Sequence, residues 1–198
     1  MKEIFPTVIG ISQNESQPYI KRSFLNHCIR MKESVPSGGQ NWISGVYNTS
    51  GTHLIHTDKR FDSLTKWINS EVMEYAGQIG YNQKRFACID SWINFYEKGD
   101  YQEIHEHTQD CTISAVYYLK TPEKSGNLIL HSPEPLGVTD NFDKDNPYTW
   151  KIYTIEPKEG MLVMFKANVY HNVTKNDADE ERISIAYNFK VEDSIPNP

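Results

Sequence analysis

The stretch SWINFYEKGDYQEIHEH, residues 91–107, decides the fold. A β-type run ending at Tyr96 stops at Glu97-Lys-Gly-Asp100, which supplies the Gly and Asp that tight turns need. The chain then extends again and ends in His105 and His107, at i and i+2. Side chains alternate along a strand, so this spacing puts both imidazoles on one face, where they could share a metal. Imidazole suits iron, copper, zinc and nickel alike, so the pair does not name the ion.

Working outward, the same grammar continues. Arg85 to Tyr96, Glu103 to His107, Thr112 to Leu119, Asn127 to His131, Trp150 to Ile155, Met161 to Phe165 and Arg182 to Lys190 read as short strands. Pro122 to Gly126, Pro157 to Gly160 and Asn176 to Glu181 supply turn residues between them. Runs this short and numerous indicate an antiparallel sandwich or barrel. The longest connection, Ser132 to Thr149, carries three prolines and reads as a mobile loop and a lid over the site.

Toward the N-terminus the pattern changes. A strand-like piece, Ile4 to Ile11, precedes a helix around Tyr19 to Lys32. From Phe61 to Gln78 the residues Phe61, Leu64, Trp67, Ile68, Val72 and Tyr75 recur at helical spacing, with Gly77 or Gly80 closing the helix. The expected fold is therefore mainly β with flanking α-helices: one domain over residues 1–198, with helical support in about 1–82 and a jelly-roll core in about 83–190.

Composition narrows the function. A net charge of -6 argues against binding nucleic acid by phosphate neutralisation. No apolar run reaches the roughly 20 residues needed to span a bilayer, so no membrane partner is expected. Cys28, Cys88 and Cys111 show no CxxC spacing, which suggests neither a disulfide framework nor a zinc site and fits a reducing cytoplasm. Homodimerisation is left open.

A third histidine, His171, follows the apolar run Met161 to Phe165, where a neighbouring strand could bring it to the first two. Eleven residues on, Arg182 and Ser184 again stand at i and i+2. An arginine beside a hydroxyl suits a carboxylate, gripped by a charge-assisted fork. The plain alternative for Arg182 is a surface ion pair with Glu180 or Glu181.

These residues, in this order, resemble the signature of iron(II) and 2-oxoglutarate oxygenases. Tyr96-Glu-Lys-Gly-Asp-Tyr101, Ala115-Val-Tyr-Tyr-Leu119 and Ser125-Gly-Asn-Leu128 resemble elements of the prolyl hydroxylase branch. The set SWINFYEKGDYQEIHEH, SAVYYLK, SGNLIL, VYH and ERISIAYNF is similar to a group of microbial and viral members that carry H-x-H. The resemblance implies a double-stranded β-helix, also called a jelly-roll or cupin-like barrel. It implies Fe(II), 2-oxoglutarate and O2 as cofactors and co-substrates, His105 and His171 as metal ligands, and Arg182 with Ser184 on the distal carboxylate of 2-oxoglutarate. Tyr96 and Tyr118 match co-substrate-binding positions, and Asn94 and Trp92 share the face of Tyr96. Hydroxylation of a C–H bond, with release of succinate and CO2, is the implied reaction. The substrate would be peptidyl, in the first instance prolyl, or a small molecule.

The sequence departs from the pattern at His107, where a carboxylate is usual. Either His107 binds the metal, or Asp110 or Glu106 supplies a carboxylate, or two protein ligands serve; we expect His107. Two rival readings are a cupin-like three-His dioxygenase or isomerase without 2-oxoglutarate, and a non-catalytic binding barrel. Arg182 and Ser184 discriminate the 2-oxoglutarate reading from the cupin-like one: it gains if they line the metal pocket and loses if they face solvent.

Overall fold

The computed structural model describes residues 6–38, 42–82, 85–133 and 146–192. Residues 134–145, the heart of the expected lid, lie outside the described residues, as do 1–5 at the start of the first expected strand. The elements in order are β1 (Ile9–Gln13), α1 (Gln17–Ser34), β2 (Tyr47–Asn48), α2 (Asp62–Gln78), β3 (Arg85–Tyr96), β4 (Gln102–His105), β5 (Ile113–Lys120), β6 (Leu128–His131), β7 (Ile152–Ile155), β8 (Met161–Lys166), β9 (His171–Val173) and β10 (Arg182–Glu192). Three short 3-10 turns complete the list, two of them leading into α2.

Two antiparallel sheets result. The larger runs β1-β8-β5-β10-β3-β2 and the smaller β4-β9-β6-β7. From β3 onward the chain alternates between them, except that the hairpin β6-β7 lies wholly in the smaller sheet. This is the architecture of a double-stranded β-helix.

Period-two alternation explains where the core sits. Ile93 and Phe95 of β3, Tyr117 and Leu119 of β5, and Ile183, Ile185 and Tyr187 of β10 pack with Phe24, Cys28 and Met31 of α1 and with Leu64, Ile68 and Val72 of α2. The helices thus cover the outer face of the large sheet. A smaller apolar cluster, including Tyr118, Leu128, Leu130, Val163 and Phe165, fills the space between the sheets. Among the described residues no helix is long and apolar enough to cross a membrane.

The expected helices and the long strands appear within two or three residues of their predicted bounds. Three differences matter for the site. β2 and β9 were not expected, being two and three residues long and defined by their partners, Phe95 and Asn94 for one and His105 for the other. β4 also ends at His105, so His107 lies beyond the strand on which the period-two reading placed it. Its backbone N–H is instead held by the carbonyl of Ala167 at 3.0 Å.

Candidate active site

His105 closes β4 and His171 opens β9, and the two residues stand directly opposite each other in the register. Their rings lie 4.1 Å apart, centroid to centroid, and the His107 ring is 5.0 Å from that of His105 and 5.2 Å from that of His171. One potential ligand atom from each falls within 4.8 Å of the others, and this is the one group of His, Cys, Asp and Glu able to hold a metal among the described residues. Glu106 and Asp110 are outside it. The Glu106 carboxylate accepts from the backbone N–H of Thr108, and Asp110 is exposed.

Two of the rings are locked. Nδ1 of His105 donates to the carbonyl of Glu103 at 2.8 Å, and Nδ1 of His171 donates to that of Val169 at 2.9 Å. Each bond fixes the tautomer and leaves Nε2 with a free lone pair. The indole of Trp42 meets His105 edge-on at 5.0 Å and Phe165 meets His171 at 4.8 Å, so apolar surface flanks both. Burial lowers the pKa of all three imidazoles, that of His107 to about 4, where the neighbouring His105 adds to the effect. At neutral pH the cluster is therefore three neutral nitrogen donors, the state a metal requires.

The opposite wall is the inner face of the large sheet. Arg182, Ser184, Ala186 and Asn188 of β10 line the same cavity as the histidines. The register sets Arg182 beside Tyr96, and Ser184 between Asn94 and Tyr118. Arg182 is 1% exposed and makes no salt bridge among the described residues. Glu181 pairs with Lys32 and Glu180 with Lys120, which disposes of the surface ion pair as the explanation for this arginine. Its guanidinium stacks 4.0 Å from the Tyr96 ring centroid, and its Nη1 donates to the carbonyls of Ser125 and Gly126 at 3.4 Å each, while Nε has no partner among the described residues. Gly126 has a φ of 88°, and a Cβ there would meet the Thr174 carbonyl at 2.3 Å, so glycine is what allows this turn. No protein hydrogen bond holds the hydroxyl of Ser184 or of Tyr118 among the described residues. A buried cation without a carboxylate, beside free hydroxyl donors, is costly unless an anion fills the gap.

Of the residues singled out in the sequence, His105, His107, His171, Arg182, Ser184, Tyr96, Tyr118, Asn94 and Trp92 line this cavity, and the alternative carboxylates Glu106 and Asp110 do not. Sequence reasoning missed Gln102, Ser114 and Asn188, which line it too. Counting by twos would have found Asn188 from Arg182 and Ser114 from Tyr118. Gln102 had no such signal, because a bulge breaks the β4-β9 register between Gln102 and His105.

The family model described as "Putative 2OG-Fe(II) oxygenase" matches residues 90–188. The chain belongs to this family of 2OG-Fe(II) oxygenases. It is a 2-oxoglutarate-dependent Fe(II) dioxygenase, and the family implies Fe(II), 2-oxoglutarate and O2. Solved structures agree on the fold. A Pseudomonas putida prolyl-4-hydroxylase superposes with a TM-score of 0.66 at 17% identity, covering 93% of each chain. A Trichoplax adhaerens prolyl hydroxylase in complex with a hypoxia inducible factor peptide fragment gives 0.65 at 16%, covering 92% of this chain and 83% of that one. HygX from Streptomyces hygroscopicus, with nickel, 2-oxoglutarate and hygromycin B bound, gives 0.64 at 9%, with 93% and 83% covered. No curated protein matches the chain in sequence.

Proposed function

We propose that His105, His107 and His171 hold the iron, that Arg182, Ser184, Tyr118 and Asn94, with Tyr96 stacked under the guanidinium, form the 2-oxoglutarate pocket, and that the oxygenase hydroxylates a C–H bond of a peptidyl substrate, prolyl in the first instance, or of a small molecule. The observation that carries this reading is the buried Arg182, which has no carboxylate partner and an unbonded Nε among the described residues, in one cavity with three converging neutral imidazoles. The donor set fits Fe(II), for which imidazole is a suitable ligand. The guanidinium fits a carboxylate.

Bound iron with 2-oxoglutarate and O2 supplies an oxidation that converts the co-substrate to succinate and CO2 and leaves one oxygen atom for the C–H bond. The protein's own part is arrangement. His105 and His171 present Nε2 from paired strands, each ring fixed by a carbonyl two residues upstream. Arg182, stacked on Tyr96, anchors the far carboxylate and so points the keto-acid end at the histidines. Trp92, 6.2 Å from His107, and Phe165 limit water at the reacting centre. With no carboxylate among the ligands, the negative charge that balances the metal comes from the co-substrate.

The peptidyl assignment draws on the two prolyl hydroxylases above, and the small-molecule alternative on HygX. We take residues 1–198 as one oxygenase domain, since both helices pack on the sheet that forms the cavity wall. The three cysteines are free, which supports a reducing compartment. A three-His dioxygenase without 2-oxoglutarate is favoured by the donor set alone, but it leaves the buried arginine without an anion.

The test is anaerobic addition of Fe(II) and 2-oxoglutarate, read as the visible metal-to-ligand charge-transfer band. The native protein is expected to develop the band, and Arg182→Ala to need at least about 10-fold more 2-oxoglutarate, the worth of a charge-assisted hydrogen bond. A native protein that binds iron but gives no band overturns the proposal.

A further inference from the structure

Three carboxamides line the cavity, and each has its oxygen already occupied. Gln102 Oε1 accepts from the Tyr96 hydroxyl at 2.7 Å, Asn94 Oδ1 from Trp92 Nε1 at 3.1 Å, and Asn188 Oδ1 from Ser114 Oγ at 3.0 Å. An indole N–H can only donate, so the orientation of Asn94 is fixed. In all three the group left for a ligand is the NH2. Beside the Ser125 and Gly126 carbonyls that face the guanidinium, Gln102 and Asn94 thus offer donors at the Arg182 end of the cavity, which is what a carboxylate requires.

Gln102 lies at the Arg182 end. It sits opposite Val173, and Val173 sits opposite Leu128. The turn just before Leu128 supplies the Ser125 and Gly126 carbonyls that face the guanidinium. His105 lies three residues further on, toward the metal cluster. A carboxylate has about four lone-pair sites, more than one arginine fills. Tyr96 cannot fill them, because its single hydroxyl proton is given to Gln102 and its remaining lone pairs would repel an anion.

We propose that Gln102 donates its side-chain N–H to the distal carboxylate of 2-oxoglutarate, and that the Tyr96 hydroxyl is a positioning group that aims it and makes no bond to the co-substrate. This rests on the reading of Arg182 as the co-substrate anchor. It reassigns the resemblance-based role of Tyr96 from contact to support, and it adds a residue that no motif pointed to.

The experiment compares two ligands on the Fe(II)-loaded protein under anaerobic conditions. 2-Oxoglutarate and 2-oxopentanoate offer the metal the same keto acid, but only the first carries the distal carboxylate. Their dissociation constants are read from the charge-transfer band, with iron affinity and Tm measured for each variant. Gln102→Ala is expected to weaken 2-oxoglutarate by about 10-fold, one charge-assisted hydrogen bond, and to leave 2-oxopentanoate unchanged. Gln102→Glu, of the same shape but anionic, weakens 2-oxoglutarate further. Tyr96→Phe keeps the ring under Arg182 and reproduces the Gln102→Ala loss, and the double variant loses no more than either single one. Unchanged 2-oxoglutarate affinity in Gln102→Ala, equal loss of both ligands, or losses that multiply in the double variant would overturn the assignment. Absence of the band in the native protein counts instead against the co-substrate reading beneath it.

Discussion

On β10, Ile183, Ile185, Tyr187 and Phe189 face the helices, while Arg182, Ser184, Ala186 and Asn188 face the cavity. β3 repeats the division, with Ile93 and Phe95 on one side and Trp92, Asn94 and Tyr96 on the other. Both faces are buried, yet only one follows the rule that apolar residues go inside. The helix face is satisfied by packing. The cavity face holds a cation with no carboxylate partner and an unbonded Nε among the described residues, so its contribution is to ligand binding and it subtracts from the stability of the ligand-free fold.

The largest effect should come from the cavity side and spare the fold. His105→Ala and His171→Ala are expected to abolish measurable Fe(II) binding, beyond the roughly 10- to 100-fold that loss of an outer partner costs. His107→Ala should weaken binding less, because among the described residues no strand pairing or carbonyl bond positions its ring. Anaerobic iron titration with a circular dichroism control decides this. Unchanged affinity in His107→Ala would remove it from the ligand set.

Next comes the reversal of sign between neighbours on one strand. Ile185→Ala, on the fully buried helix face, should destabilise the protein by about 2–5 kcal/mol through lost burial and a cavity. Arg182→Leu, three residues away on the other face, should raise the Tm of the metal-free protein, since it replaces a buried, unpaired charge by an apolar side chain. The same variant should bind 2-oxoglutarate poorly. Thermal unfolding of both, without and with co-substrate, sharpens the comparison; a fall in Tm for ligand-free Arg182→Leu would break it.

This division also explains what the sequence could and could not disclose. The helix-facing residues announce themselves by period, so α2 and the whole of β3 were readable. On the cavity side, Arg182 and Ser184 were readable because their chemistry is unusual in a strand. Asn188 and Ser114 could be placed on that face by counting but given no role, since a carboxamide or hydroxyl is ordinary in any loop or edge and gains meaning only when burial is known. β2 and β9 are strands only because a partner lies beside them, as His105 does beside His171. His107 reaches the cluster although β4 has ended, so the two rings converge without the continuous strand that was expected to bring them together.

The smallest predicted effect concerns protons at the metal cluster. The imidazoles of His105, His107 and His171 are held below the ordinary 6.5, first by burial, with His107 reaching about 4. Above pH 6.5 folded and unfolded chains both carry them neutral, and these groups do not alter stability. As pH falls below 6.5 the unfolded chain takes up protons that the folded one refuses, so the metal-free protein loses stability between 6.5 and about 4. His56 shifts the same way, also by burial, whereas Asp58, held down by Arg60, titrates below this window. The Tm of metal-free protein should therefore drop from pH 7 to pH 5, and His107→Ala should flatten the drop, since one refusing group is gone. A slope untouched by His107→Ala would mean that this ring is as free to take a proton in the fold as out of it, and the contrast between a ligand-shaped cavity face and a self-satisfied helix face would lose its support at the metal end.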